Sequence, residues 1–251
     1  TENLGPDPNA WVKTRSGTVL KAGDPVVTYV ARNLEPYRGF HIFMRALEKL
    51  QQRHKTVQAL IVGGDDVSYG KRPKDAPNWR EKMLREVKLD PTRTHFMGKL
   101  PRAQYIKVLQ ASAAHVYLTY PFVLSWSLLE AMACGASIVA SDTEPVREVI
   151  THGKNGCLAG FFDVDELVNM AEGLVTTTCA RLGSRTLGGG AATGYAAATS
   201  RAAYDALVCG PFARGDAGAP VRACNTRRDT ADQCGRETTN REPAYAIDQE
   251  R

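Results

Sequence analysis

Residues Tyr120–Asp142, YPFVLSWSLLEAMACGASIVASD, decide the fold. They run from the end of one apolar strand, through a short loop, into a helix. The chain leaves that helix at Cys134-Gly135 and enters a small-residue strand, Ala136–Ala140. Strand, helix and strand in so short a span make a crossover unit, which joins parallel strands. The loop brings unsatisfied backbone N–H groups to a helix start, where an anionic ligand is best received. Glu130 lies about one turn into the helix, too deep for ordinary capping. Its neighbours Leu128, Leu129, Ala131, Met132 and Ala133 are apolar. A buried unpaired carboxylate is costly, so Glu130 must face water or a polar partner.

The same alternation extends outward. Val26–Ala31 reads as a strand, and Gly39–His54 as a helix with Phe40, Phe43, Leu47 and Leu50 on one face. Val57–Val62 is a strand ended by Gly63-Gly64-Asp65-Asp66. Trp79–Val87 is a helix and Thr94–Met97 a strand ended by Gly98. Pro101 suits the first position of a helix reaching about Ser112. His115–Thr119 is a strand, Pro145 opens a short helix to Ile150, and Gly156–Ala159 is a strand. Asp163 with Glu166 resembles a capping box, starting a helix from Val164 to about Val175. Residues 1–24 read as loop with a short hairpin at Trp11–Leu20. The predicted class is α/β, a single parallel-sheet domain over 25–175. Right-handed crossovers align the strand carboxyl ends and the helix starts along one edge, where ligands bind.

Composition excludes several functions. The chain of 251 residues is 43% hydrophobic and 24% charged, ordinary for a globular protein. The net charge of +5 is spread among acids, so no nucleic-acid stripe is expected. No apolar run approaches the roughly 20 residues of a membrane span. The first residues, TENLGPDPNAW, lack an initiator Met and an apolar leader, which suggests a fragment or a processed start. The six cysteines form no C-x-x-C pair, so a metal site is not expected, and free thiols point to a reducing, cytoplasmic setting. His41, His54, His95 and His115 form no triad or metal set and read as structural.

Residues 176–251 differ from the rest. All 11 lysines lie at or before Lys154, while the last 76 residues hold 16 Ala, 10 Thr and 9 Gly. So little apolar surface cannot offset the entropy of ordering, roughly 1–2 kcal/mol per residue. An irregular tail is expected, either a natural Ala/Gly-rich extension or out-of-frame sequence.

Two arginines follow the first strand of the alternation, in ARNLEPYRGFH. Arg32 at the strand end and Arg38 before the next helix can both point at one anion, and a guanidinium fork suits a phosphate. The spacing fits equally well two surface arginines pairing with Glu35 or Asp142.

In order, VVTYVARNLEPYRGFH, ALIVGGDD, THFMGKLP, the Glu130 helix and SDTEPVREVITHGKNGCLAGFFDVDELVNMAEGL resemble the C-terminal, donor-binding domain of a retaining glycosyltransferase of the large family four. The likeness covers about residues 25–175. It implies a Rossmann-like domain, the C-terminal half of a GT-B fold. It also implies a nucleotide-diphosphate sugar as donor, a carbohydrate or lipid-linked acceptor, and no metal or other cofactor. A cytoplasmic location follows, at the membrane periphery where the acceptor is a lipid. By the same resemblance Arg32 and Arg38 hold the diphosphate and act in catalysis, and Glu130 grips the ribose hydroxyls. Ser125, Trp126 and Ser127 offer backbone N–H groups, Met97 and Gly98 lie against the base, and Gly64 lines the donor site. Arg38 stands where lysine is commoner. Phe122 replaces a carboxylate usual for the donor sugar, and Glu144-Pro145 replace glycines. Glu144 is the neighbouring carboxylate that could substitute. One half alone implies an alternative, a nucleotide-sugar-binding module without turnover.

Overall fold

The computed structural model describes residues 4–120 and 123–184, with side chains as far as 178. Phe122 and the tail from 185 onward, both singled out in the sequence, lie outside the described residues. An antiparallel hairpin of β1 (Trp11–Lys13) and β2 (Val19–Lys21) comes first. Among the described residues six further strands form one parallel sheet: β3 (Val26–Asn33), β4 (Gln58–Gly64), β5 (Thr94–Gly98), β6 (Ala114–Tyr117), β7 (Ile138–Ser141) and β8 (Cys157–Ala159). Their order is β5-β4-β3-β6-β7-β8. The order reverses between β3 and β6, so the connections leaving their carboxyl ends go to opposite faces and leave a crevice between them.

The helices are α1 (Phe40–Arg53), α2 (Trp79–Glu86), α3 (Arg102–Gln110), α4 (Trp126–Ala133), α5 (Glu144–Arg147) and α6 (Val164–Ser184), with a 3-10 turn at Pro36–Arg38. Helix α1 buries Phe40, Phe43, Leu47 and Leu50, the face its spacing predicts, and adds Ile42, Met44 and Ala46. Tyr29 of β3 stacks on Phe43 with centroids 4.7 Å apart. Leu167, Val168 and Ala171 of α6 join this layer. Each such buried Val, Leu, Ile, Met or Phe side chain contributes roughly 1.5–3 kcal/mol. On the opposite face α3 and α4 pack through Ile106, Leu109, Leu128 and Met132, and the hairpin adds Val12 and Leu20 over Val26 and Met97. Lys107 pairs with Asp7 at 2.6 Å and Gln110 donates to the Gly5 carbonyl, fastening the leading segment to α3.

Three local expectations are corrected. Pro101 is the N-cap of α3 and not its first residue, because its ψ of 148° is extended. Asp163 caps α6 by accepting from Glu166 N, yet Glu166 reaches back to Gly160 N, so the box is not reciprocal. Helix α6 also continues past Val175 to Ser184. Thr176 and Thr177 donate to the carbonyls of Glu172 and Gly173, and Thr178 donates to Ala113 O on the sheet. The Thr178 bond to the sheet is the tertiary contact that offsets the weak helix propensity of a threonine run.

Candidate nucleotide-diphosphate site

The strand ends on the carboxyl edge are irregular where the candidate residues lie. Between Val30 and Asn33 the β3–β4 register slips by one residue, so Ala31 and Arg32 oppose Gly63 alone. A second slip on β5 sets Met97 as the extra residue before Gly98. Bulges re-aim side chains and end pairing, and are over-represented beside active sites. Arg32 emerges from the first bulge exposed, its side chain with no hydrogen bond or ion pair among the described residues.

Arg38 spans the crevice. It ends the 3-10 turn after β3, and its Nη1 donates to Thr119 Oγ1 at 3.0 Å and to the Val123 carbonyl at 3.2 Å, both beyond β6. The Tyr69 ring lies 5.6 Å from its guanidinium carbon. Gly39 makes the next turn possible. Its φ is 68°, and a Cβ there would run into the Leu118 side chain. Helix α1 therefore starts directly against the β6 exit.

The proposed acidic partners of the arginines are occupied elsewhere. Glu35, 1% exposed, accepts backbone N–H bonds from Ser68, Tyr69 and Gly70. Asp142 takes a two-pronged bond from Arg147 at 2.6 and 2.7 Å, which holds its carboxyl below the usual range. Neither acid forms an ion pair with Arg32 or Arg38 among the described residues.

Ser125 caps α4, and its own N–H donates to Tyr117 Oη at 2.8 Å. Burial pushes the Tyr117 hydroxyl up, and the nearby Arg38 charge opposes that shift. Ser127 N leans on Ser125 Oγ at 3.4 Å. Two of the three N–H groups assigned to an anion are therefore already engaged. Trp126, 77% exposed, stands at the rim.

Glu130 is not a solvated surface acid. Arg102 Nη1 meets one oxygen at 2.7 Å and Tyr105 Oη donates to the other at 2.6 Å, both from α3. Burial and that bond raise the Tyr105 hydroxyl far above its ordinary value. No contact among the described residues joins Arg32 or Arg38 to Glu130. They are linked through Tyr117, Ser125 and the first turn of α4.

The remaining candidates sit under basic side chains. Lys99 Cε lies 2.5 Å from where a Gly64 Cβ would stand, with Asn33 Oδ1 beside it. Arg15, from the hairpin turn, donates to Met97 O at 2.8 Å and covers Gly98. Arg15, Arg32, Arg38, Lys99 and Arg102 thus line one edge. The sequence had not singled out Arg15, Lys99, Arg102, Tyr105 or Tyr69. Arg102 and Tyr105 carried a faint signal, a three-residue spacing that shares one helix face. Glu144 is exposed at the start of α5.

The histidines are structural in their contacts. His115 shares a hydrogen bond with Thr28 Oγ1, and burial lowers its pKa to about 4. His95 bonds Gln58, and His54 lies 2.7 Å from Glu172. No helix among the described residues is long and apolar enough to cross a membrane.

Comparison with known proteins bears on the family and the fold. Residues 24–177 match the family model described as glycosyl transferases group 1. A phosphatidyl-myo-inositol mannosyltransferase of Mycolicibacterium smegmatis is 30% identical over 162 residues, covering 62% of this chain and 38% of that protein. A D-inositol 3-phosphate glycosyltransferase of Gordonia bronchialis is 25% identical, over 66% of this chain and 36% of the relative. The match thus spans little more than a third of these curated relatives. Among solved structures, the C-terminal domain of a group 1 glycosyl transferase from Francisella tularensis superposes with a TM-score of 0.60 at 16% identity, covering 84% of this chain and 96% of that one. An Anabaena protein crystallised with UDP and glucose gives 0.55 at 24% identity, over 73% of this chain and 44% of its own. These structural likenesses bear on fold.

Proposed function

The chain belongs to group 1 of the glycosyl transferases, and from that premise we propose that it binds a nucleotide-diphosphate sugar on the carboxyl edge of its sheet. The sugar is then transferred to a carbohydrate or lipid-linked acceptor. One observation supports this above the rest: Arg38 is held across the β3–β6 crevice by Thr119 and Val123. It presents a cation at the point where ligands bind in such sheets.

In this account the diphosphate lies between Arg38 and Arg32, with Lys99 near its base-proximal side. As the glycosidic bond breaks, negative charge grows on the leaving diphosphate. Guanidinium groups set in advance stabilise that charge without reorganising. Glu130 accepts from the ribose hydroxyls, with Tyr105 fixing one oxygen while Arg102 gives way at the other. Retention of anomeric configuration, independence of a metal and a cytoplasmic location, at the membrane surface for a lipid acceptor, belong to the same proposal. The Anabaena neighbour's UDP and the mannosyl transfer named for the mycobacterial relative make UDP and GDP the first probes.

A second reading is a binding module that takes the donor and transfers nothing alone. It is the reading in which the donor site of the parallel sheet binds without an acceptor site beside it. Calorimetry with UDP, GDP and their sugars, beside a transfer assay with and without EDTA, tests both. Micromolar binding with EDTA-insensitive transfer is expected for the enzyme, and binding without transfer for the module. No binding of either nucleotide would remove both.

A further inference from the structure

The Glu35 carboxylate is buried to 1% exposure and forms no ion pair among the described residues. Its partners are three consecutive backbone N–H groups, those of Ser68, Tyr69 and Gly70, at 3.1–3.2 Å. Asn33 Nδ2 donates to Ser68 Oγ at 2.8 Å and pins the same turn from β3. A buried carboxylate is tolerated only when its lone pairs are filled, and bonds to a charged acceptor are the strong ones. The turn so fixed delivers the Tyr69 ring to the Arg38 guanidinium, 5.6 Å from its carbon. Arg38 N also donates to the Glu35 carbonyl at 3.2 Å within the 3-10 turn, but the Glu35 carboxylate reaches the guanidinium through a loop more than thirty residues away in sequence.

We propose that Glu35 is a positioning residue for Arg38, acting through Tyr69: it fixes the 68–70 turn so that the aromatic ring seats the guanidinium facing the crevice. This rests on the assignment of Arg38 to the diphosphate. A seated guanidinium has less rotamer freedom to lose when the anion arrives, and a ring beneath a cation adds attraction of its own.

The test is calorimetry on the full chain with UDP or GDP, whichever binds tighter, with melting temperatures in parallel. Tyr69→Leu should weaken binding roughly three-fold, and Tyr69→Phe should leave it unchanged. Glu35→Gln should weaken it about ten-fold. In an Arg38→Ala background neither Tyr69→Leu nor Glu35→Gln should lower affinity further, although Glu35→Gln should still lower the melting temperature. Should Glu35→Gln fail to fold, the Tyr69 pair decides. Equal affinity for Tyr69→Leu and wild type, or an undiminished loss with Arg38 absent, would overturn the positioning role while the diphosphate assignment stands. If Arg38→Ala itself binds as wild type, the diphosphate assignment fails and takes the positioning role with it.

Discussion

Replacing Arg38 with alanine removes a cation that bridges the β3 and β6 exits. In the free protein its Nη1 makes two ordinary hydrogen bonds, to Thr119 Oγ1 at 3.0 Å and Val123 O at 3.2 Å. Losing both at a half-exposed site costs stability about 1 kcal/mol, a fall of roughly 2–4 °C in melting temperature for a domain of this size. The effect on ligand binding is larger. A charged hydrogen bond contributes about 1.5–3 kcal/mol, and the open crevice argues for the lower part of that range. About 2 kcal/mol corresponds to roughly thirty-fold weaker binding of UDP or GDP. Arg38→Lys keeps the charge and loses the fork, so an intermediate loss of about five-fold is expected. Arg32 supplies the contrast, since its side chain has no partner among the described residues. Arg32→Ala should weaken nucleotide binding without moving the melting temperature. Calorimetry at fixed ionic strength reads the affinities and differential scanning fluorimetry the stabilities. Wild-type affinity in both folded alanine variants would refute the reasoning.

Other expectations follow from single positions. Gly39→Ala places a Cβ against Leu118 at a φ of 68°; a loss of about 2–4 kcal/mol is expected in urea denaturation, because left-handed strain and the clash add. Glu130→Gln should narrow the preference for UDP over its 2′,3′-dideoxy analogue, since the carboxylate is assigned to the ribose diol; an unchanged preference would detach Glu130 from that task. Burial holds His115 and His41 at pKa values of about 4. These folded values lie below the ordinary 6.5, so the stability is intact above about pH 6.5 and is lost as the unfolded chain takes up protons between about 6.5 and 4. At 1.36 kcal/mol per unit this amounts to roughly 3 kcal/mol for each histidine. Urea midpoints measured across that window should fall steeply in wild type and less in His115→Asn.

What could be read from the chain was what depends on near neighbours. The α1 face of Phe40, Phe43, Leu47 and Leu50 is a local period, and the alternation of short strands with helices fixed the parallel class. Arg32 and Arg38 could be named because they flank a strand end. Their surroundings could not be foreseen. The bulges at Arg32 and Met97 depend on how one strand registers against another, which no single segment encodes. Glu130 was expected to find a polar partner, and its partners proved to be Arg102 and Tyr105, more than twenty residues away on α3. Glu35 was a candidate ion-pair partner, but backbone amides took that place, and amides leave no mark in side-chain chemistry. The threonines after Val175 read as a helix stop because their long-range bond to Ala113 is invisible in sequence.

The most direct measurement is a crystal structure of the chain soaked with UDP or GDP. The account predicts the diphosphate within hydrogen-bonding distance of both the Arg38 and Arg32 guanidinium groups, with the ribose hydroxyls on Glu130 and the Arg102 contact displaced. A nucleotide seated away from the β3–β6 crevice, or one whose phosphates touch neither arginine, would contradict it.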